Sequence, residues 1–92
     1  MRREIWKFSL VIADNQNVAM PDGARILCAQ MQGEALCIWA VVDPKADFTA
    51  RRFAIRGTGH PLYGDEGTYI GTAQQLGGAL IWHVFDGGAS PE

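Results

Sequence analysis

The sequence predicts an all-β fold: about seven short antiparallel strands forming a small sandwich or open barrel. Three observations predict it. Apolar residues recur with a period of two in one segment after another. Turn signatures such as Pro21-Asp22-Gly23, Gln32-Gly33-Glu34 and Asp43-Pro44 separate those segments at short intervals. No long stretch carries helical periodicity, and no internal repeat is visible. The 92 residues suit one domain, read as a single β domain over 1–86 with a flexible polar tail at 87–92.

The first strand spans 4–12. Trp6, Phe8, Leu10 and Ile12 share its wholly apolar face, which predicts burial; Ile5, Lys7, Ser9 and Val11 share the other. Asp14-Asn15-Gln16-Asn17 reads as a turn, because such side chains bond their own backbone. Val18–Met20 forms a short second strand, closed by Pro21-Asp22-Gly23. A third strand, 25–32, alternates less cleanly and predicts cover on both faces. Gln32-Gly33-Glu34 turns the chain into 35–43, the most hydrophobic strand and hence a central one. Asp43-Pro44 ends it, since proline donates nothing to a ladder. The connector to Arg51 is too short for a packed helix.

The remaining strands are 51–56, 68–73 and 79–85. Phe53 and Ile55 point one way and Arg52, Ala54 and Arg56 the other. Gly71 marks a weak point or bulge in the sixth strand. In the last, Leu80, Trp82 and Val84 oppose Ile81, His83 and Phe85. The predicted core is Trp6, Phe8, Leu10, Leu36, Ile38, Phe53, Ile55, Leu80 and Trp82.

Composition limits the function. A hydrophobic fraction of 48% with 20% charged residues is globular, not disordered. A net charge of −2 argues against duplex nucleic-acid binding, which needs clustered cations. No apolar run approaches the roughly 20 residues that span a bilayer, and Glu4, Lys7 and Ser9 interrupt any leader-like segment. The chain therefore reads as cytoplasmic, with no membrane association. Cys28 and Cys37 then read as reduced, buried thiols, with a cross-strand disulfide as the minor alternative. Three Trp, four Phe and two Tyr are generous for this length and suit an interface, and apolar residues on both faces of the third, fourth and seventh strands predict a homo-oligomer.

The most specialised stretch is Arg51–Gly64. Beyond Arg56 the alternation stops. Gly57 and Gly59 permit sharp backbone reversal, and Pro61 holds His60 extended. Arg52, Arg56, Thr58, His60 and Tyr63 form the candidate ligand site. Guanidinium, hydroxyl, imidazole, phenol and free glycine amides suit an anion such as phosphate or carboxylate. Against this, Gly-Xaa-Gly alone is a weak motif, and the same stretch reads more readily as a tight loop with a surface His and two solvated arginines.

Catalytic signatures are lacking. There is no Gly-Xaa-Ser-Xaa-Gly elbow and no His-Glu-Xaa-Xaa-His, and the His and Cys spacing is not that of a zinc site. No metal or cofactor is expected, and no catalytic residue is assigned. A hydrolase using His60 with Asp65 or Glu66 is the minor alternative. His83, inside a hydrophobic strand, reads as structural.

Six blocks carry a resemblance: 4–8 (EIWKF), 20–24 (MPDGA), 36–44 (LCIWAVVDP), 56–61 (RGTGHP), 69–72 (YIGT) and 77–85 (GGALIWHVF). Together the chain resembles a family of small uncharacterised proteins encoded by bacteria and their phages. That resemblance implies a phage accessory protein that works by binding. It would sequester a phosphate-bearing nucleotide signal or a host protein as counter-defence. A structural or oligomeric interaction module without a small ligand is the rival expectation.

Overall fold

The computed structural model describes residues 2–89. It contains seven strands: β1 (Glu4–Leu10), β2 (Asn15–Pro21), β3 (Arg25–Gln32), β4 (Ala35–Val42), β5 (Phe48–Gly57), β6 (Thr68–Gln75) and β7 (Leu80–Ala89). A three-residue 3-10 turn, Leu76–Gly78, joins β6 to β7. The strands form two antiparallel sheets, ordered β1-β4-β3 and β2-β5-β7-β6. The sheets pack as a small sandwich and do not close into a barrel.

Alternation explains the core. On β4, Leu36, Ile38, Ala40 and Val42 are buried, each at most 1% exposed. They meet Phe53, Ile55 and Val84 from the opposite sheet in one cluster with Met20 and Leu10. Ile5 points outward, while Trp6 and Phe8 pack against the core. The register of β1 is therefore the predicted one. The most hydrophobic strand is central in its sheet, and β5 lies between β2 and β7.

Several strand ends and one core residue differ from expectation. β1 stops at Leu10, so Ile12 is exposed rather than buried. The turn expected at 14–17 is mostly strand, because Asn15 to Pro21 finds a full ladder on β5 (Asn15 opposite Ala54, Pro21 opposite Phe48). Polar turn-formers yield to a long-range partner that local chemistry does not show. Leu80 is 40% exposed because it lies at the end of the ladder, opposite Gln75. Phe53, Ile55, Leu36, Ile38 and Leu10 are buried as predicted, and Trp82 is half-buried.

Bulges aim the strands. β6 slips register between Tyr69 and Gly71, and β5–β7 slips between Arg52 and Phe53. At Gly71 the missing side chain lets β6 approach β3, since a Cβ there would lie 3.3 Å from the Ala29 carbonyl oxygen. β7 continues through Ala89, opposite Arg51, so residues 87–89 of the expected tail are ladder. Residues 90–92 lie outside the described residues. Both cysteines are free thiols.

Candidate functional site

The outer face of the four-stranded sheet and the loop after β5 build the site together. β5 ends at Gly57, and the His60 amide donates to the Gly57 carbonyl at 3.0 Å. The His60 ring folds back over Gly57, whose amide donates to Nδ1 at 3.2 Å. A Cβ on Gly57 would stand 2.8 Å from the ring carbon Cε1, so only glycine allows this stacking.

Arg56 leaves β5 on the outer face but is covered by the loop, 7% exposed and fully engaged. Its guanidinium donates to the Asp14 carbonyl, the Ile55 carbonyl at 3.1 Å and Asn15 Oδ1 at 3.5 Å. It also pairs with Glu66 Oε2 at 3.4 Å. Glu66 is 5% exposed and accepts from the Tyr63 amide at 2.8 Å and the Gly64 amide at 3.0 Å. Its carboxyl is held below the usual carboxylate range. The Tyr63 amide bond is the main cause; its own amide, that of Gly64 and the Arg56 charge add to it, and burial opposes it. Asp65 and Glu66 are thus not equivalent turn acids. Glu66 is the peg on which the loop hangs.

A second cluster stands on the sheet. Arg56, His83 and Thr72 are cross-strand neighbours on β5, β7 and β6. Thr58 Oγ1 lies 2.8 Å from His83 Nε2, and Tyr69 Oη lies 2.8 Å from His83 Nδ1. Thr72 Oγ1 bonds Tyr69 Oη and lies 3.5 Å from His83 Nδ1. Tyr69 meets Phe85 edge-to-face at 5.2 Å. Both nitrogens of His83 are therefore engaged on a solvent-facing surface.

Between loop and sheet runs an open groove of about 340 Å³, lined by Thr58, His60, Leu62, Tyr69, His83 and Phe85, with Arg56 in its wall. His60 also borders a hollow of about 320 Å³ toward Gly78–Trp82 and one of about 220 Å³ toward Asp14, Tyr63 and Asp65. Of the five predicted residues, Arg56, Thr58 and His60 share the main groove. Tyr63 borders the hollow on the far side of His60 and is 75% exposed. Arg52 stands apart: it donates to the Asp65 carbonyl at 3.1 Å and lies against Gly87.

The sequence reading missed Leu62, Tyr69, His83 and Phe85. The alternation that puts His83 and Phe85 on one face was a usable signal, but only the order β5-β7-β6 adds Tyr69 and Thr72. Among the described residues, neither histidine bonds a carboxylate, and no group of three or more His, Cys, Asp and Glu could hold a metal. The arrangement can cradle a flat ring and hydrogen-bond its edges. The Thr58 hydroxyl does lie within hydrogen-bond reach of the His83 imidazole, but among the described residues no carboxylate orients that ring. Among the described residues, no helix is long and apolar enough to cross a membrane.

No curated protein and no solved structure matches this chain. A domain family does match it, over residues 1–92, and the chain belongs to that family, described as a domain of unknown function (DUF7352).

Proposed function

We propose that this is a non-catalytic binding protein that captures a small ligand carrying a flat ring in the groove between the loop after β5 and the outer face of β6–β7. The observation that carries the reading is the fixed His83. An imidazole bonded at both nitrogens, beside an edge-to-face Tyr69–Phe85 pair, is an ordered recognition surface exposed to solvent. Packing of the core does not require it. A nucleotide meets the requirement through its base. In the phage setting implied by the resemblance, capture of such a molecule would withdraw a signal from the host. A thermal-shift screen with nucleosides, nucleotides and cyclic nucleotides tests this. A ligand at a hundredfold its Kd adds about 2.7 kcal/mol of apparent stability. The shift should vanish in His83→Ala and Phe85→Ala. A screen with no shift, together with unmoved β6 and β7 amide resonances, removes the groove as a binding site.

A second reading, self-association, is favoured by the outer face of the three-stranded sheet. There Ile5 is 62% exposed opposite Val41, beside the half-buried Trp39. A second copy covering this face would bury it as a homodimer.

A further inference from the structure

We infer that the groove recognises an uncharged ring of nucleobase type and gains nothing from a phosphate, because the chain's own Glu66 already fills the anion cradle of the loop. The inference rests on the capture reading above and specifies its ligand. Backbone amides that converge at a turn form a concavity suited to an oxyanion. Here the Tyr63 and Gly64 amides converge in this way, and each donates to a different oxygen of one carboxylate, Glu66 Oε2 and Oε1. Arg56 supplies the matching cation at 3.4 Å. Two amides and a guanidinium around an oxyanion are what a phosphate site offers, but the occupant is covalently part of the chain.

An external phosphate would have to displace a carboxylate tethered beside its donors, and then share a buried space with it. The tether gives Glu66 a high effective concentration, and two anions at one cation repel. Arg52 does not substitute, since it points to the Asp65 carbonyl and does not line the groove. The Arg56 in the groove wall is already paired with Glu66, and what else faces a ligand is the Thr58 hydroxyl, the Tyr69 phenol and two imidazoles, with Leu62 and Phe85 as apolar walls.

The test is a titration of the full chain, followed by amide NMR and calorimetry, with the common ribonucleosides, their 5′-monophosphates and inorganic phosphate. The expected result is that a nucleoside binds at least as tightly as its monophosphate. Shifts should centre on Thr58, Tyr69, His83 and Phe85, and phosphate alone should leave the Tyr63 and Gly64 amides unmoved. A monophosphate that binds about tenfold or more tighter than its nucleoside, with Tyr63 and Gly64 shifted, overturns this inference and leaves the capture reading standing. If no compound binds, the capture reading fails and the inference falls with it. Glu66→Ala gives an independent arm: its vacated cradle should respond to added acetate or phosphate at Tyr63 and Gly64, as the native protein does not. A silent cradle in a folded Glu66→Ala variant also overturns the inference.

Discussion

Replacing Arg51 by Met tests the largest single polar commitment of the fold outside the loop. Arg51 was not among the arginines singled out in the sequence, yet it makes a two-pronged contact with Asp86. Nε donates to Oδ1 at 2.9 Å and Nη2 to Oδ2 at 2.7 Å. Its third arm, Nη1, donates to the Ala24 carbonyl at 2.8 Å, just ahead of β3. One side chain thus fastens β5 to β7 and both to the connector that leads from β2 into β3. The pair is mostly shielded, with side chains 18% and 13% exposed. Exposed pairs contribute about 0.2–1 kcal/mol, whereas breaking a buried pair costs about 3–5 kcal/mol. This pair lies nearer the buried limit, and its parallel bonds are not additive. We therefore expect Arg51→Met to lose about 2–4 kcal/mol, set against a total near 5–14 kcal/mol for a chain of this length. The melting temperature should fall by roughly 4–8 °C per kcal/mol.

Urea unfolding followed by tryptophan fluorescence measures the loss, and an unchanged slope would show that the native state stays compact. The pH dependence adds a second constraint. Burial pushes the Asp86 carboxyl up, but the Arg51 bonds, the Gly88 amide and the Arg51 charge outweigh it, so the net displacement is downward. A carboxylate held below its unfolded value stabilises fully above that value, and the stabilisation is lost as pH falls through the folded value. The gap between native protein and Arg51→Met should thus be constant near neutrality and narrow in acid. A gap below about 0.5 kcal/mol at neutral pH, the range of ordinary surface substitutions, would refute the reasoning. So would a gap of equal size in acid, which would mean that Arg51 acts through packing of its stem and not through Asp86.

Two further outcomes follow from the packing. Phe53 is fully buried in the middle of β5, so Phe53→Ala should cost about 3–5 kcal/mol by urea unfolding; a loss under about 1 kcal/mol would mean that the core collapses around the gap. If the Ile5–Val41 face binds a second copy, sedimentation at micromolar concentration should give a dimer mass that Ile5→Lys returns to monomer. A clean monomer mass for the native chain would discard the self-association reading.

The strand content and most of the core were legible in the sequence, because both depend on local alternation. Phe53 and Ile55 on one face, and Leu36, Ile38, Ala40 and Val42 on another, need no knowledge of a partner to be read as buried. Glycine chemistry was also legible: Gly71 stands at a bulge, and Gly57 yields its missing Cβ to the His60 ring. The strand boundaries at 12 and 15 were not, because they depend on where a ladder partner begins and ends.

The site was half legible for the same reason. Thr58 and His60 announced themselves through their loop, but Tyr69, Thr72 and His83 become neighbours only once β7 lies between β5 and β6. The arginines show the limit most clearly. Sequence assigns Arg52 and Arg56 to the outward face and offers both to a ligand. Tertiary structure decides that Arg56 is paired with Glu66 and capped by the Asp14 carbonyl, and that Arg52 is bound to the loop backbone. Alternation sets which way a side chain leaves its strand. What a long cation finally touches depends on carboxylates and carbonyls supplied by distant segments, and the pairing of those segments is a property of the whole fold.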